Sequence, residues 1–362
     1  MTRQWHVREY EQGDERGILD LYKLVFGTEM STEHWSWKYE RNPAGQPVIV
    51  LAQSADDEIV GHYAVLPRLV KIGDNVHVAS ISADLMVHPE YRGQRIPFVL
   101  IEQGNKLAAQ RGIQFVLGFP NEKSHSLPLK KTGRVDLYGG IPLWTKPLNL
   151  ERILKKRFGD NELLASVGSR VGNIAMRILC RSDQSTPAYS IKEIFSFDSR
   201  FDSLWNEASR DPKTRIVMVR DKAYLTWRYV EKPGRDYVIF TAEKEHDLLG
   251  YTVLRCMEDF GLQIGFIADI LTAPKETGAS LDLVSAAVNY FELRQMDIVG
   301  CLMLPNTRYA RSLKQVGFIK TPNRLLPKRM FITVRRLSSQ YSITFLADPS
   351  NWFITWSDHD VI

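Results

Sequence analysis

The sequence predicts an α+β protein made of two tandem copies of one domain, each a mixed, mainly antiparallel sheet flanked by helices, joined by a helical linker. The chain has 362 residues, which is too long for one ordinary core and sufficient for two. The other two observations are an internal repeat and the order in which strand-like and helix-like segments alternate.

The internal repeat consists of four short segments that recur in the same order and at nearly the same spacing. The pairs are Trp37-Lys38-Tyr39 and Trp227-Arg228-Tyr229, Ile59-Val60-Gly61 and Leu248-Leu249-Gly250, Ala83-Asp84-Leu85 and Ala268-Asp269-Ile270, and Phe119-Pro120-Asn121 and Leu304-Pro305-Asn306. Chance rarely produces four ordered matches, so we interpret the chain as two copies of one domain.

In each copy, strands come first and a strand–helix–strand crossover follows, which is typical of a mixed sheet. In the first copy, β-branched runs predict strands at 48–52, 59–65 and 77–87. Helical spacing predicts a helix at 96–111 that Gly112 ends, and a short apolar run predicts a strand at 113–119. The second copy follows with strands at 237–242, 248–255, 265–271 and 298–304 and a helix at 281–294.

These elements divide the chain into a first domain at 1–147, a basic helical linker at 148–187, a second domain at 188–340 and an aromatic and acidic tail at 341–362. Residues 148–182 carry an excess of Lys and Arg. Two interpretations of this excess are open. The segment is either a helix that binds a membrane surface or an anionic partner, or a connecting helix with a solvated face. The tail is interpreted as docking on the second domain, with a metal site at Asp358, His359 and Asp360 as the alternative.

Composition excludes several classes of protein. A formal net charge of +5 is too small to imply nucleic acid, which needs clustered basic residues. Three cysteines, Cys180, Cys256 and Cys301, lack the spacing of a disulfide framework or metal site, which favours a reducing cytoplasm. The first residues do not read as a signal peptide, and no apolar run approaches the roughly 18 residues that span a bilayer.

One segment, Ser82 to Pro97, carries the clearest signal for a ligand site. A strand leads into a turn that contains Arg92, Gly93 and Arg95, and a helix begins directly afterwards. The N–H groups at a helix start and the positive end of its dipole favour phosphate, and Gly93 allows the backbone to approach a ligand closely. The sequence therefore predicts a pyrophosphate site here, to which the two arginines add charge.

This segment resembles the hallmark of the GNAT acyltransferases, a strand, a Val-x-Pro-x-Tyr-Arg-Gly type turn, a glycine-rich loop and a helix. The order of elements matches that family from about residue 5 to 140 and more loosely from about 190 to 335. The resemblance implies acetyl-CoA or another acyl-CoA as co-substrate, no metal, and transfer of the acyl group to an amine. It also implies contacts to acyl-CoA from Leu85, Met86 and Val87 at the strand end, from the loop Arg92, Gly93, Gln94, Arg95, Ile96 and Pro97, and from Asn121 and Ser124 along the pantetheine arm.

Two residues depart from the family's loop pattern. Arg95 stands where Gly is usual, and Pro97 stands where Gly or Ala is usual. Proline is tolerated in the first turn of a helix, but it has no N–H to donate to a phosphate. Arg95 either compensates as a charged donor or blocks the loop, so a binding protein that has lost catalysis is an alternative.

By the same resemblance, the catalytic candidates are Asp84, His125 and Tyr138. Acyl transfer needs a neutral amine, donors for the oxyanion and a proton for the leaving thiolate. Asp84 stands where relatives often place a base, but Asp269 recurs at that place in the second copy, so an architectural role is also open. His125 or Tyr138 would protonate sulfur.

Two further alternatives remain at this stage. His88 is a titratable side chain next to the loop. Asn121 is either a ligand of the pantetheine arm or a helix cap, since Asn306 recurs in the second copy.

The second copy has no Arg in its loop, and Glu276 and Asp282 would repel a phosphate. We therefore expect one acyl-CoA per chain, bound within residues 80–135, while the second copy shapes an acceptor cleft.

The expected function is an N-acyltransferase that moves an acyl group, acetyl first of all, to an amine-bearing small molecule or sugar. The family resemblance suggests an amino sugar of surface polysaccharide synthesis as the acceptor. A cell-wall aminoacyl transferase is the alternative, and only in that case would a nucleic acid, aminoacyl-tRNA, be a partner.

Overall fold

Apolar β-branched runs of the sequence form the strands of the protein. The computed structural model describes residues 4–126, 133–138, 140, 142–158, 188–212, 214–234, 236–276, 278–322, 326 and 331–359. The strands are β1 (Trp5–Glu9), β2 (Val48–Ser54), β3 (Ile59–Ile72), β4 (Asn75–Val87), β5 (Phe115–Gly118), β6 (Val135–Tyr138), β7 (Leu143–Pro147), β8 (Ser190–Ile194), β9 (Ile216–Met218), β10 (Tyr237–Lys244), β11 (Asp247–Asp259), β12 (Leu262–Thr272), β13 (Ile298–Leu302), β14 (Ile319–Lys320), β15 (Ile332–Arg336) and β16 (Trp352–Phe353).

The helices of the described residues are between four and fifteen residues long. They are α1 (Glu15–Phe26), α2 (Thr32–Trp35), α3 (Ile96–Gln110), α4 (Glu122–His125), α5 (Leu150–Phe158), α6 (Arg200–Ala208), α7 (Lys222–Leu225), α8 (Ala279–Leu293), α9 (Arg308–Gln315) and α10 (Ile343–Ala347). The helix expected at 96–111 is confirmed as α3, and Gly112 follows it at φ +80°, the left-handed conformation that glycine adopts without strain. Within the described residues, no helix is both long and apolar enough to cross a bilayer.

The chain forms two units. Unit 1 contains residues 1–141, 231–233 and 327–351, and unit 2 contains residues 142–230, 234–326 and 352–362.

Unit 1 is a sheet with helices on both faces. Its strands lie in the order β1-β2-β3-β4-β5-β15-β6, and the pairs are antiparallel except for β4 with β5, which are parallel. One face packs on α3 through a cluster that includes Val50, Tyr63, Ile96 and Leu100. The opposite face packs on α1 through a cluster that includes Ile18 and Leu21.

Unit 2 is built in the same way around its own sheet. Its strands lie in the order β14-β7-β13-β12-β11-β10-β8, with β12 and β13 parallel and the other pairs antiparallel. Helix α8 buries Leu283, Val284 and Phe291. Gly265 is required under this helix, because a Cβ there would lie 2.5 Å from the Phe291 ring. Mixed sheets flanked by helices confirm the predicted α+β class.

The recurring sequence segments fall on corresponding elements of the two units. Each Trp-x-Tyr segment forms a five-residue π-helix, at Ser36–Glu40 and at Thr226–Val230. Each follows a short helix whose N-cap side chain, Ser31 or Asp221, accepts a hydrogen bond from a backbone N–H. The π-helices were not foreseen, because a single extra residue per turn leaves no separate signal in the apolar spacing.

Two strands and one helix lie elsewhere than the expected domain boundaries place them. Strand β7, inside the expected first domain at 1–147, pairs with β13 and β14 in unit 2. Strand β15, inside the expected second domain at 188–340, pairs with β5 and β6 in unit 1. The expected tail at 341–362 is divided, since α10 belongs to unit 1 and β16 pairs with β9 within unit 2. Strand partners are chosen by tertiary contacts, so position along the chain does not reveal them.

The expected linker at 148–187 begins with α5. The surface role considered for residues 148–182 stays a prediction, because residues 159–187 lie outside the described part of the chain.

Candidate active site

The bulge in β4 is the centre of the site predicted from the sequence. His62 pairs with Met86 and Ala64 with Ala83, so Asp84 and Leu85 together face Tyr63 on β3. Two residues opposite one define a β-bulge, which bends a strand and redirects its side chains. Asp84 has φ +46°, a conformation that favours glycine and tolerates aspartate.

The carboxylate of Asp84 is already paired. The Lys38 ammonium lies 2.7 Å from Asp84 Oδ2, and the Tyr39 hydroxyl donates a hydrogen bond to the same oxygen. Only 7% of the Lys38 side chain and 10% of the Asp84 side chain are exposed. This arrangement favours an architectural role for Asp84 over a role as base, because the carboxylate is largely buried and already holds the Lys38 and Tyr39 side chains.

A buried histidine supports the bulge from β3. His62 Nδ1 lies 2.7 Å from the carbonyl oxygen of Asp84. Burial lowers the pKa of His62, so the imidazole is neutral and its Nδ1–H donates to the carbonyl. The other ring nitrogen, Nε2, is buried and has no partner among the described residues.

Strands β4 and β5 part beside the bulge. They pair only at Ser80 with Val116 and at Ile81 with Leu117. At the point of parting, a Cβ on Gly118 would lie 2.8 Å from Thr333 Oγ1 and 3.1 Å from Ser82 Oγ. Two hydroxyls therefore meet above a residue that has no side chain. The expected backbone contacts at Leu85, Met86 and Val87 lie on β4 beyond this point.

The loop between β4 and α3 presents consecutive backbone donors. Gly93 has φ +82° and Arg95 has φ +63°, and nothing lies within 4 Å of a Cβ built on Gly93. Among the described residues, no protein group accepts a hydrogen bond from the N–H of Gly93, Gln94, Arg95 or Ile96. Successive N–H groups in such a turn form a concave anion site.

Side chains around the loop have distinct tasks. Arg92 and Arg95 are exposed, whereas the Gln94 side chain accepts a hydrogen bond from Trp5 Nε1 at 3.1 Å and so fastens the loop to β1. Pro97 has no N–H. The next N–H, of Phe98, already bonds the Arg95 carbonyl at 3.0 Å.

His88 takes part in the turn that precedes the loop. Its Nδ1 accepts a hydrogen bond from the Glu90 N–H at 3.2 Å, and its Nε2 lies 3.9 Å from Glu58 Oε1. These contacts favour a capping role for His88.

The segment after β5 brings His125 next to an acidic partner. Asn121 Oδ1 accepts a hydrogen bond from the Ser124 N–H at 3.0 Å, which caps α4. His125 Nε2 lies 2.8 Å from Asp136 Oδ1, and the His125 ring stacks on Phe331 with 3.7 Å between centroids and 10° between planes.

Sequence reasoning named Asn121, Ser124 and His125 but missed Asp136 and Phe331. Tyr138 is half-buried on β6, opposite Ile332. In unit 2 the corresponding cap is Thr307 rather than Asn306, since the Thr307 side chain accepts from the Ala310 N–H.

The corresponding loop of unit 2 is filled by its own chain. The Tyr189 hydroxyl donates to Glu276 at 2.7 Å, and the Ala188 N–H donates to Asp282 at 3.0 Å. The Tyr189 ring lies 3.0 Å from the place a Cβ on Gly278 would take, so it covers the start of α8.

The strand end beside that loop is closed as well. The N–H of Thr272 donates to the Tyr309 hydroxyl at 3.0 Å, and Arg308 donates to the Thr272 carbonyl. The backbone groups at the end of β12 are therefore taken up by side chains of α9.

The C-terminal tail is held in unit 2 by buried charges. Arg220 pairs with Asp269 at 3.1 Å and with Asp358 at 2.8 Å, and these side chains are fully buried. Burial by itself would lower the pKa of Arg220, but the two carboxylates raise it well above its ordinary value. The His359 carbonyl accepts from Arg228. Asp358 is thus an ion-pair partner, and Asp360 lies outside the described residues.

Residues 6–126 match the family model described as the acetyltransferase (GNAT) domain. Sequence comparison with curated proteins finds no significant match.

Solved structures with the same fold are distant in sequence. A protein described as a probable N-acyltransferase, from Enterococcus faecalis, has a TM-score of 0.62 at 11% identity over 93% of this chain and 73% of its own. A GCN5-related N-acetyltransferase from Anabaena variabilis has a TM-score of 0.64 at 12% identity over 92% of this chain and 73% of its own. Saccharomyces cerevisiae N-myristoyltransferase with bound myristoyl-CoA has a TM-score of 0.59 at 12% identity over 92% of this chain and 80% of its own.

Proposed function

Because residues 6–126 match the family model described as the acetyltransferase (GNAT) domain, we propose that the protein transfers an acyl group from acyl-CoA to an amine, with the chemistry in unit 1. The observation that carries the proposal is the run of N–H groups from Gly93 to Ile96, which have no hydrogen-bond acceptor among the described residues. It lies at the start of α3, in the loop that follows β4. A pyrophosphate needs such a run of donors, and a plain turn does not supply one.

The two departures from the family's loop pattern are compatible with this role. Pro97 itself has no N–H to donate, but the four residues before it, Gly93 to Ile96, each have one. Arg95 adopts a left-handed conformation, which costs about 1–2 kcal/mol for a residue with a Cβ. Its exposed guanidinium and that of Arg92 add positive charge next to the loop, which offsets this cost when a pyrophosphate is bound.

The parted strands supply the channel for the acyl arm. Beyond Ile81 and Leu117 the backbone of β4 has no partner on β5, so one N–H group among those of Leu85, Met86 and Val87 is the proposed donor to a thioester carbonyl and its oxyanion. Ser82 and Thr333 place hydroxyls at the entrance, where the side of Gly118 is open to them.

His125 is the proposed acid for the leaving sulfur, with Tyr138 as the other candidate. Asn121 and Ser124 remain proposed neighbours of the pantetheine arm. Since Asn121 caps α4 through its Oδ1, its amide N–H₂ is the part that would reach a ligand. Asp84 is proposed to hold the bulge rather than to take the amine proton, because Lys38 and Tyr39 already bond it.

We further propose that the acyl group is acetyl and that the acceptor is an amino sugar. The description of the matched domain as an acetyltransferase supports the first statement. The second follows the family resemblance of the sequence. A longer acyl chain is the alternative, since one structural neighbour binds myristoyl-CoA.

Calorimetric titration with acetyl-CoA and CoA tests the cofactor site. Arg92→Glu combined with Gly93→Asp places two carboxylates at the N–H groups, and we expect it to weaken binding by at least about 100-fold, because like charges near a pyrophosphate repel strongly. Lys275→Glu, on an exposed side chain of the corresponding loop in unit 2, is the matched control and should leave affinity unchanged.

Two results would contradict the assignment. One is native affinity in the double variant, which would place acyl-CoA elsewhere. The other is loss of binding in Lys275→Glu. Mass spectrometry of an amino-sugar nucleotide after incubation with the protein and acetyl-CoA then tests the acceptor. The same assay with a panel of longer acyl-CoAs tests the acyl group.

A further inference from the structure

The two ring nitrogens of His125 have different surroundings. Nε2 lies 2.8 Å from Asp136 Oδ1, while no group of the described residues bonds Nδ1. An ionised carboxylate only accepts hydrogen bonds, so Nε2 carries the hydrogen and Nδ1 keeps its lone pair in the neutral ring. About a fifth of the His125 side chain, 21%, is exposed, so this nitrogen is not sealed in the core.

The plane of the ring is fixed by a second contact. Phe331 stacks on His125 with 3.7 Å between centroids and 10° between planes. A carboxylate at one edge and an aromatic ring on one face leave the imidazole one orientation.

Both contacts depend on β15, which returns to unit 1 from the far end of the sequence. Asp136 lies opposite Thr333, and Gly118 lies opposite Thr333 on the other side. The Phe331 N–H donates to the Pro120 carbonyl at 3.1 Å, next to the cap of the helix that carries His125. One strand therefore aligns the parting of β4 and β5, the acidic partner and the histidine helix.

We propose that Asp136 and Phe331 are positioning residues that hold His125 as its Nε2–H tautomer, so that Nδ1 is the atom that exchanges the proton during acyl transfer. When the carbon–sulfur bond breaks, Nδ1–H of the imidazolium gives its proton to the thiolate of CoA. The proton that the attacking amine loses returns to Nδ1. Charge and protons then balance over one turnover, and Nε2–H stays on Asp136 throughout.

The role of the tautomer in acyl transfer rests on the proposed function, whereas the tautomer itself does not. Arg134 lies near the dyad, since it donates to the Ser124 carbonyl at 3.1 Å. Its guanidinium also interacts electrostatically with the Asp136 carboxylate.

Nitrogen-15 NMR of the full chain, labelled at histidine, tests the tautomer directly. His125→Gln identifies the His125 signals by their disappearance, and we expect protonated Nε2 and unprotonated Nδ1 in the neutral ring of the native protein. In Asp136→Asn the amide can also donate, so the two tautomers should become populated within about tenfold of each other. Asp282→Asn, a carboxylate of unit 2, is the control and should leave these signals unchanged.

Activity gives the second readout. With acetyl-CoA and an amino-sugar nucleotide, Asp136→Asn should lower kcat by about 100-fold, while KM for acetyl-CoA stays within about twofold. Phe331→Leu should lower kcat less and should broaden the His125 signals. His77→Gln, a histidine that contacts Tyr341, should leave kcat unchanged.

The outcomes separate the two proposals. A native enzyme that transfers no acyl group from any acyl-CoA overturns the proposed function, while the NMR result still decides the tautomer. An Nδ1–H tautomer in the native protein, or an unchanged tautomer in Asp136→Asn, overturns this inference even in an active enzyme. An altered tautomer with unchanged kcat overturns its catalytic part.

Discussion

At the scale of single residues, two buried carboxylates, Asp84 and Asp269, have roles that depend on the cations with which they pair. In unit 1, Asp84 meets Lys38 and Tyr39, and in unit 2 Asp269 meets Arg220 and Tyr251. The same sequence position thus carries a buried carboxylate in both units, each with its own cation. A pair of this kind adds little stability compared with an apolar pair, but removal of one member leaves a buried charge without a partner.

Asp84→Ala tests this pairing. It removes the carboxylate that lies 2.7 Å from the buried Lys38 ammonium, so we expect the free energy of unfolding to fall by about 3–5 kcal/mol. Lys38→Met in the same chain should recover most of that loss, because the buried positive charge is then gone as well. Urea denaturation of the native protein, both single variants and the double variant measures the coupling. Additive losses in the double variant would contradict an ion-pair role for Asp84.

At the scale of elements, β15 and β14 differ in how many neighbouring strands they pair with. Strand β15 lies between β5 and β6, so each of its N–H groups faces one neighbour or the other. Strand β14 is the edge of its sheet and pairs with β7 alone. The Thr321 N–H bonds the Leu143 carbonyl, so by alternation the N–H of Lys320 points away from β7. Proline has different consequences at these two places.

Val334→Pro should therefore be much more harmful than Lys320→Pro. Val334 is fully buried, and proline there removes a ladder hydrogen bond in the middle of a sheet, at a cost of about 3 kcal/mol or more. The edge substitution should cost less than about 1 kcal/mol, since no ladder bond is lost. Guanidinium denaturation compares the two variants, and equal losses would mean that β15 is not an inner strand.

At the scale of the whole molecule, each unit has a loop before its long helix, α3 or α8. Among the described residues, only the loop of unit 1 is left uncovered by other parts of the chain. In unit 1 the N–H groups from Gly93 to Ile96 have no partner in the described structure. In unit 2 Tyr189 covers the loop, and Glu276 and Asp282 place negative charge beside it. The energy of a like charge next to a pyrophosphate exceeds the roughly 2 kcal/mol at most that a helix dipole contributes.

One CoA per chain is the expected stoichiometry. Native mass spectrometry should show a single bound CoA in the native protein and none in Arg92→Glu combined with Gly93→Asp. Lys275→Glu should keep the single CoA. A second CoA of comparable affinity would show that the covered loop of unit 2 opens, and would contradict the division of labour between the two units.

The site was only partly predictable from the sequence. The loop Arg92–Pro97 and the segment Asn121–His125 were named in advance because their signals are local: a turn before a helix, and a capping residue. Asp136 and Phe331 carried no local signal next to His125, because they reach it through pairing of β6 with β15. No local signal indicates that Tyr189 covers the loop of unit 2 either, since Tyr189 and Gly278 lie far apart along the chain.

The sequence by itself determined what depends on neighbours along the chain. Apolar spacing set α3 and α8, β-branched runs set the long strands, and the charges of the two loops distinguished Arg92 from Glu276. Tertiary structure alone decided the partners of β7 and β15, the pairing of Asp84 and the orientation of His125. The physical reason is that helix hydrogen bonds close within four residues, whereas a strand or a buried charge is satisfied by groups that only the folded chain brings near.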